Sequence, residues 1–424
     1  MTGKTGLVLS GGGARAAYQV GVLQAIAELL PVGARQPFPI ITGTSAGAIN
    51  ALGLAGRPGS FLSRTRALTT MWGSLQSESI YRTHFWGVTR NALDILLATL
   101  SSRYARERSL ALLDNEPLRE LLEDIIQFTH IERAIGSGDL HAIAVTAMNY
   151  SSGRSTTFYQ GQPDIQPWSR THRLSKPEVL EVAHLLASSA LPTLFPATQV
   201  GDNFYGDGAL RQTRPLSPAI HLGADKLLII GNSENRRLQQ PDDSIIVPPT
   251  IPQVMGQMLN AVFLDAIDAD LETLDRINGL VSQTSQRQRE NIGLGNLRVI
   301  DALTISPSQS LASIAREHIH ELPRSMRLFL KSTRSIKETG SGGALSYILF
   351  ERGYCKRLIE LGYNDAMALA DPVRQFFGLT PEGAVTRKSA LWREHGPVVK
   401  KPLNPVTKAW YHLLGKKTRR INGT

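Results

Sequence analysis

The sequence predicts an α/β protein, a sandwich built on a largely parallel sheet, with a mainly helical region after it. Three observations lead there. Short apolar runs alternate with stretches of helical period across residues 5–231, as strand–helix units of a parallel sheet do. Glycine-rich turns fall where the first two apolar runs end. Past Gly231 the period becomes mostly helical.

Residues 6–10 (GLVLS) are a short β-like run that meets Gly11-Gly12-Gly13. Val20, Leu23, Ala27 and Leu30 then recur at three- and four-residue steps, one face of a helix that Pro31 and Gly33 end. A second unit follows, with a strand at 38–42, a glycine-flanked turn at 43–47 and an Ala/Leu-rich helix. Residues 141–148 read as a buried strand, 179–187 as a helix and 226–230 as a late strand. The polar stretch 232–253 carries Pro241, Pro248, Pro249 and Pro252 and reads as a linker or long loop. Within the helical region, residues 254–397, Leu264, Ile267, Leu271 and Leu274 share one face. Asp265, Asp268, Asp270, Glu272 and Asp275 crowd the same stretch; a metal site is conceivable, and a solvated helix face is the expectation. The tail, 398–424, holds seven Lys and Arg residues, no acid, and Trp410, Tyr411, Leu413 and Leu414 among them. An interfacial membrane contact and a frayed basic terminus account for it equally well.

Composition narrows the classes. A chain of 424 residues suggests roughly two or three domains, and 42% apolar with 19% charged residues suits a globular core. The single cysteine, Cys355, excludes an internal disulfide framework and a Cys-based metal site. Neither a secretory signal nor an apolar run of spanning length is evident, so a cytoplasmic or surface-attached protein is expected. The net charge of +10 favours anionic partners, nucleic acid or an anionic lipid surface. No nucleic-acid module is recognisable, which weighs against the first.

Three short stretches carry chemistry. Gly43-Thr44-Ser45-Ala46-Gly47 is a G-x-S-x-G between a strand and a helix, where small neighbours let a tight turn expose a serine oxygen beside a helix N-terminus. Gly11-Gly12-Gly13-Ala14-Arg15 follows the first strand and leaves backbone N–H groups open to an oxygen. Gly11, Gly13 and Ala16 also fit a relaxed dinucleotide fingerprint, but no carboxylate ends the second strand to hold a ribose. An oxyanion hole serving Ser45 is therefore the reading, against a purely structural turn. Asp207-Gly208-Ala209, after Phe204-Tyr205-Gly206, fixes an aspartate in a tight turn; simple Asp-Gly turn chemistry is the alternative.

In this order the three stretches resemble the patatin-like phospholipase family. The resemblance extends through 187–192 (ASSALP), 194–196 (LFP), Pro215 and 222–225 (LGAD), about the first 230 residues. It implies a three-layer α/β/α sandwich, Ser45 as nucleophile, Asp207 as proton acceptor, and Gly11, Gly12 and Gly13 as oxyanion hole with Arg15 orienting the loop. Gly43, Gly47 and Gly208 are the motif glycines. The family's last loop glycine is Ala16 here, so the loop should form with its helix slightly further away. The resemblance also implies acyl-ester lipid substrates of the phospholipid or lysophospholipid kind, with no calcium, metal or cofactor. Residues 341–347 (SGGALSY) and 361–363 (LGY) look like the extra C-terminal region of larger bacterial members, a looser likeness that implies no chemistry. Two alternatives stay open: a Ser45–Asp207–His221 triad in the chain order of α/β-hydrolases, and a non-enzymatic membrane-surface regulator. His221 and His184 both sit in helical stretches where a surface or core role is the plainer expectation.

Overall fold

In the computed structural model, which describes residues 3–82, 111, 113–232, 251–263, 265–323, 327 and 342–379, one sheet organises the chain. Its strands are β1 (Thr5–Leu9), β2 (Ile40–Thr44), β3 (Ala142–Asn149), β4 (Ser155–Gly161), β5 (Ser169–Arg170), β6 (Arg173–Pro177), β7 (Thr198–Val200), β8 (Asn203–Asp207), β9 (Lys226–Ile230) and β10 (Asp301–Ile305). The path runs β10-β9-β1-β2-β3-β4-β6-β5, with β8 also against β3 and β7 against β8. From β10 to β3 every pairing is parallel. At β3 the sheet turns antiparallel toward β4 and β8. The α/β class and the mostly parallel sheet follow the sequence reading. The antiparallel strands β4 and β8 do not show in it, because each follows another strand with no helix between and so lacks the strand–helix rhythm.

Helices cover both faces. They are α1 (Ala17–Leu29), α2 (Ala46–Ala55), α3 (Phe61–Ser74), α4 (Glu116–Ile125), α5 (Phe128–Gly136), α6 (Val182–Ser189), α7 (Ser217–His221), α8 (Ile251–Phe263), α9 (Asp265–Ser282), α10 (Gln286–Asn291), α11 (Leu311–Glu317), α12 (Gly342–Ile348), α13 (Arg352–Ala368) and α14 (Ala370–Phe376). Side chains alternate across a strand: Leu7 and Leu9 join one core with α1, α2 and α13, whereas Val8 joins another with Ala219 of α7 and Ile267 and Leu274 of α9. The helix expected over 179–187 begins later, at Val182. A capping box fixes its start, with Glu181 N–H donating to His184 Nδ1 at 3.0 Å.

The region after Gly231 is mainly helical, with β10 as an exception that adds to the edge at β9. Its helix α13 lies on α1 at backbone distance. A Cβ on Gly21 would stand 1.9 Å from the Ile359 carbonyl oxygen, and one on Gly362 2.1 Å from that of Tyr18. Tyr18 also donates to Asp365 at 3.1 Å, and Cys355 is fully buried in the same helix.

Asp270 corrects the expectation of a solvated acidic face. It is 8% exposed, pairs with Arg214 at 3.1 Å and accepts the Leu216 N–H at 3.0 Å, tying α9 to the sheet layer. Leu264, most of the proline-rich stretch and the basic tail lie outside the described residues. Asn232 is described, and it is a buried contact of the glycine loop rather than linker. Among the described residues no helix is long and apolar enough to cross a membrane.

Candidate active site

Register brings Ser45 and Asp207 together. Parallel pairing sets Thr44 beside Thr146, and antiparallel pairing sets Ala147 beside Asp207, so the ends of β2 and β8 meet across β3. Ser45 directly follows β2 with φ 55° and ψ −131°, a backbone conformation that costs a non-glycine residue about 1–3 kcal/mol and that surrounding contacts must hold. Its N–H donates to Ser188 Oγ at 2.8 Å, and Ser188 in turn donates to the Thr146 carbonyl at 2.6 Å. The turn is crowded: a Cβ on Gly47 would lie 2.3 Å from the Leu9 carbonyl oxygen.

Ser45 Oγ donates to Asp207 Oδ2 at 2.6 Å, and Asp207 Oδ1 accepts the Ala209 N–H at 2.9 Å. One carboxylate oxygen thus does the turn chemistry of Asp-Gly, and the other faces the serine. Asp207 is fully buried, and burial pushes its carboxyl up to about 7 while the hydrogen bonds from Ser45 and Ala209 pull the other way.

The glycine loop lies beside this pair. A Cβ on Gly11 would stand 3.1 Å from Ser45 Cβ, and Gly13 takes φ 54° with its Cα against the Tyr347 carbonyl. Behind the loop runs a buried amide network. Trp72 Nε1 donates to Asn50 Oδ1 at 2.7 Å, Asn50 Nδ2 to Gln19 Oε1 and the Ala16 carbonyl at 3.0 Å each, and Gln19 Nε2 to the Ser10 carbonyl at 2.8 Å. Asn232 Nδ2 holds the Gly11 carbonyl at 3.0 Å. With Ala16 in place of the family glycine the loop is formed and fully buried.

Arg15 is 2% exposed, not a helix-surface residue. Its Nε donates to Ser346 Oγ at 2.8 Å, and its guanidinium lies 4.1 Å from the centre of the Tyr347 ring. Phe263 stacks on Tyr347 at 5.3 Å and closes over Gly11. Within the stretch 341–347, read as carrying no chemistry, Ser346 and Tyr347 therefore brace the glycine loop. Ser45 itself is only 3% exposed. A small apolar cavity is lined by Ser45 and Gly13 together with Ile49, Trp72, Leu118, Leu191 and Phe350.

His221 is not brought to the pair. It bonds to its own helix at the Ser217 carbonyl at 2.8 Å and stacks on Trp168 at 4.8 Å; burial is the largest cause of its lowered proton affinity. His184, buried, meets Glu178 at 3.1 Å and the edge of Phe158. Among the described residues no group of His, Cys, Asp and Glu is arranged to hold a metal. Sequence reading missed Ser188, Gln19, Asn50, Asn232, Ser346 and Tyr347. A polar residue inside an apolar helical run, as Gln19 and Asn50 are, was the available signal.

A sequence model of the family described as Patatin-like phospholipase matches residues 7–220. The chain belongs to the patatin-like phospholipase family. It is 31% identical over 210 residues to a "cGAMP-activated phospholipase" of Pseudomonas aeruginosa, an alignment covering 49% of this chain and 53% of that protein. The chain thus spans about half the length of that relative. Among solved structures, VipD from Legionella pneumophila is 12% identical, with 85% of this chain and 67% of that chain covered and a TM-score of 0.28. Full-length ExoU of Pseudomonas aeruginosa, in complex with SpcU, is 17% identical, with 92% and 84% covered and a TM-score of 0.23.

Proposed function

We propose that the chain is a serine lipid acyl hydrolase of the phospholipase or lysophospholipase kind, working through a Ser45–Asp207 dyad without calcium. The observation that carries this reading is the 2.6 Å hydrogen bond from a strained serine to a fully buried carboxylate that no cation touches among the described residues. An ordinary carboxylate is a poor base for a hydroxyl. Desolvation raises Asp207 to about 7, where a general base is effective near neutral pH.

In the first half-reaction Ser45 Oγ attacks the ester carbonyl and its proton passes to Asp207 Oδ2. The tetrahedral oxyanion is received by the N–H groups of Gly12 and Gly13, for which no acceptor is found among the described residues. One such donor commonly contributes about 3 kcal/mol to the transition state. Asp207 then protonates the departing alkoxide, leaving an acyl-serine. Water, deprotonated by Asp207, attacks that ester; the proton returns to Ser45 as the fatty acid leaves. Arg15 positions the loop from behind through Ser346 and Tyr347 and does not touch the reacting carbonyl.

The substrate is met at a lipid surface, to which the basic tail would add affinity. The near-complete burial of Ser45, together with the name of the Pseudomonas relative, makes a cyclic dinucleotide the first activator to try. The test is hydrolysis of phospholipid vesicles and of a short fluorogenic ester in chelator, with and without cGAMP, comparing wild type with Ser45→Ala. Loss in Ser45→Ala of at least about 10³-fold is expected. Wild-type rates equal to that variant in every condition overturn the enzyme reading and favour a regulator.

A further inference from the structure

The cavity that opens beside Ser45 is walled from two stretches far apart in sequence. Ile49, Trp72, Leu118 and Leu191 belong to the family-matched residues 7–220, whereas Tyr347, Ile348 and Phe350 lie well beyond them. Tyr347 stands at the loop end, its carbonyl against Gly13. Three residues on, the Phe350 ring stacks on Trp72 at 6.3 Å and meets Tyr81 edge-on at 6.4 Å. Hydrogen bonds pin this short piece of chain at each step. Arg15 Nε reaches Ser346 at 2.8 Å, Tyr81 Oη donates to the Ile348 carbonyl at 3.0 Å, and Ser77 Oγ donates to Glu351 Oε1 at 2.7 Å.

We infer that this cavity is a straight-chain acyl site and that residues 347–350 are its length gauge, so acyl preference is set from outside the family-matched part of the chain. The inference rests on the hydrolase reading and names its substrate subsite. Among the described residues that lining holds no cation to replace a phosphate's water and is too apolar to satisfy glycerol hydroxyls, so only the acyl part enters. Each methylene buried there multiplies affinity by about fourfold. That gain ends where the chain meets Phe350, because the ring is held between Trp72 and Tyr81 and cannot swing aside without losing both contacts.

The experiment measures kcat/KM on p-nitrophenyl esters from four to sixteen carbons for wild type, Phe350→Ala and Phe350→Leu. Alongside it, saturated fatty acids of eight to eighteen carbons displace a fluorescent fatty acid from the Ser45→Ala protein, with and without Phe350→Ala. Phe350→Ala is expected to raise the ratio of sixteen-carbon to eight-carbon kcat/KM by about tenfold, and Phe350→Leu by about threefold. The displacement optimum is expected to lengthen in parallel. Folded variants whose rates fall in proportion at all lengths overturn the inference, and so does the absence of saturable fatty-acid binding to Ser45→Ala. If wild type hydrolyses nothing yet binds fatty acids with a length optimum that Phe350→Ala moves, the acyl site stands and the hydrolase reading falls.

Discussion

The corner where β8 ends and the seam where α9 meets the sheet layer each bury an aspartate, and they treat it differently. Asp270, at the seam, has Arg214 at 3.1 Å and a backbone N–H at 3.0 Å. Asp207, at the corner, has a serine hydroxyl and a backbone N–H, both neutral. Burial is the largest influence on both and raises both; at Asp270 the cation pulls back, along with the N–H. A buried carboxylate beside a cation serves as a fastener. One left with neutral donors keeps a proton affinity near that of its surroundings, which is what proton transfer needs.

The sharpest way to break this contrast is to remove both groups. Asp207→Asn is expected to lower kcat on a soluble ester by about 10³–10⁴-fold, while folded Asp270→Ala stays within about threefold of wild type. Losses of similar size in the two variants would erase the distinction.

A pH profile sharpens it. With Asp207 as the base, kcat/KM climbs about tenfold per pH unit below 7 and levels off above it, since the deprotonated form is required. Asp270→Ala should leave that limb where it is; a limb set by ordinary carboxylates near 4 would exclude Asp207 as the base.

Stability gives the smallest and most discriminating effect. The unfolded chain loses the Asp207 proton near 3.8, and the folded protein keeps it until about 7. Stability from this group is therefore lost as pH rises from about 4 to 7. Asp207→Asn should raise Tm by a few degrees, about, at pH 8 and by less at pH 5. Asp270→Ala should lower stability by about 1–3 kcal/mol, because the Leu216 N–H loses its buried acceptor. Calorimetry at the two pH values checks both, and a Tm gain for Asp207→Asn that is no larger at pH 8 than at pH 5 would remove the burial argument.

How much of this was legible in the sequence depends on the range over which each feature is encoded. Gly11, Gly12, Gly13, Ser45 and Asp207 announce themselves because a tight turn is written in contiguous residues. The register that joins them is not, since β8 reaches β3 from more than fifty residues away and pairs antiparallel. The strand at 226–230 was legible to the residue, as a lysine followed by four apolar residues; β10, with Asp301 at its start and only half-buried, was lost among helices. Asp270 was misjudged although the signal was present. It stands three residues after Ile267 and four before Leu274, on the buried stripe of α9 rather than opposite it. Ser346 and Tyr347 sit in a Gly- and Ser-rich stretch with no period to expose a buried role.

That distance between Ser45 and Phe350 also has a consequence in time. A ribosome adds residues at about 5–20 per second, so the serine emerges roughly 15–60 s before the last piece of its pocket wall. During that interval the edge of β9 awaits β10, and the glycine loop awaits Ser346 and Tyr347. The nascent chain thus presents Ser45 long before Ser346 and Tyr347 can brace the glycine loop, and on the proposed hydrolase reading this order of synthesis holds back activity until that late stretch has emerged.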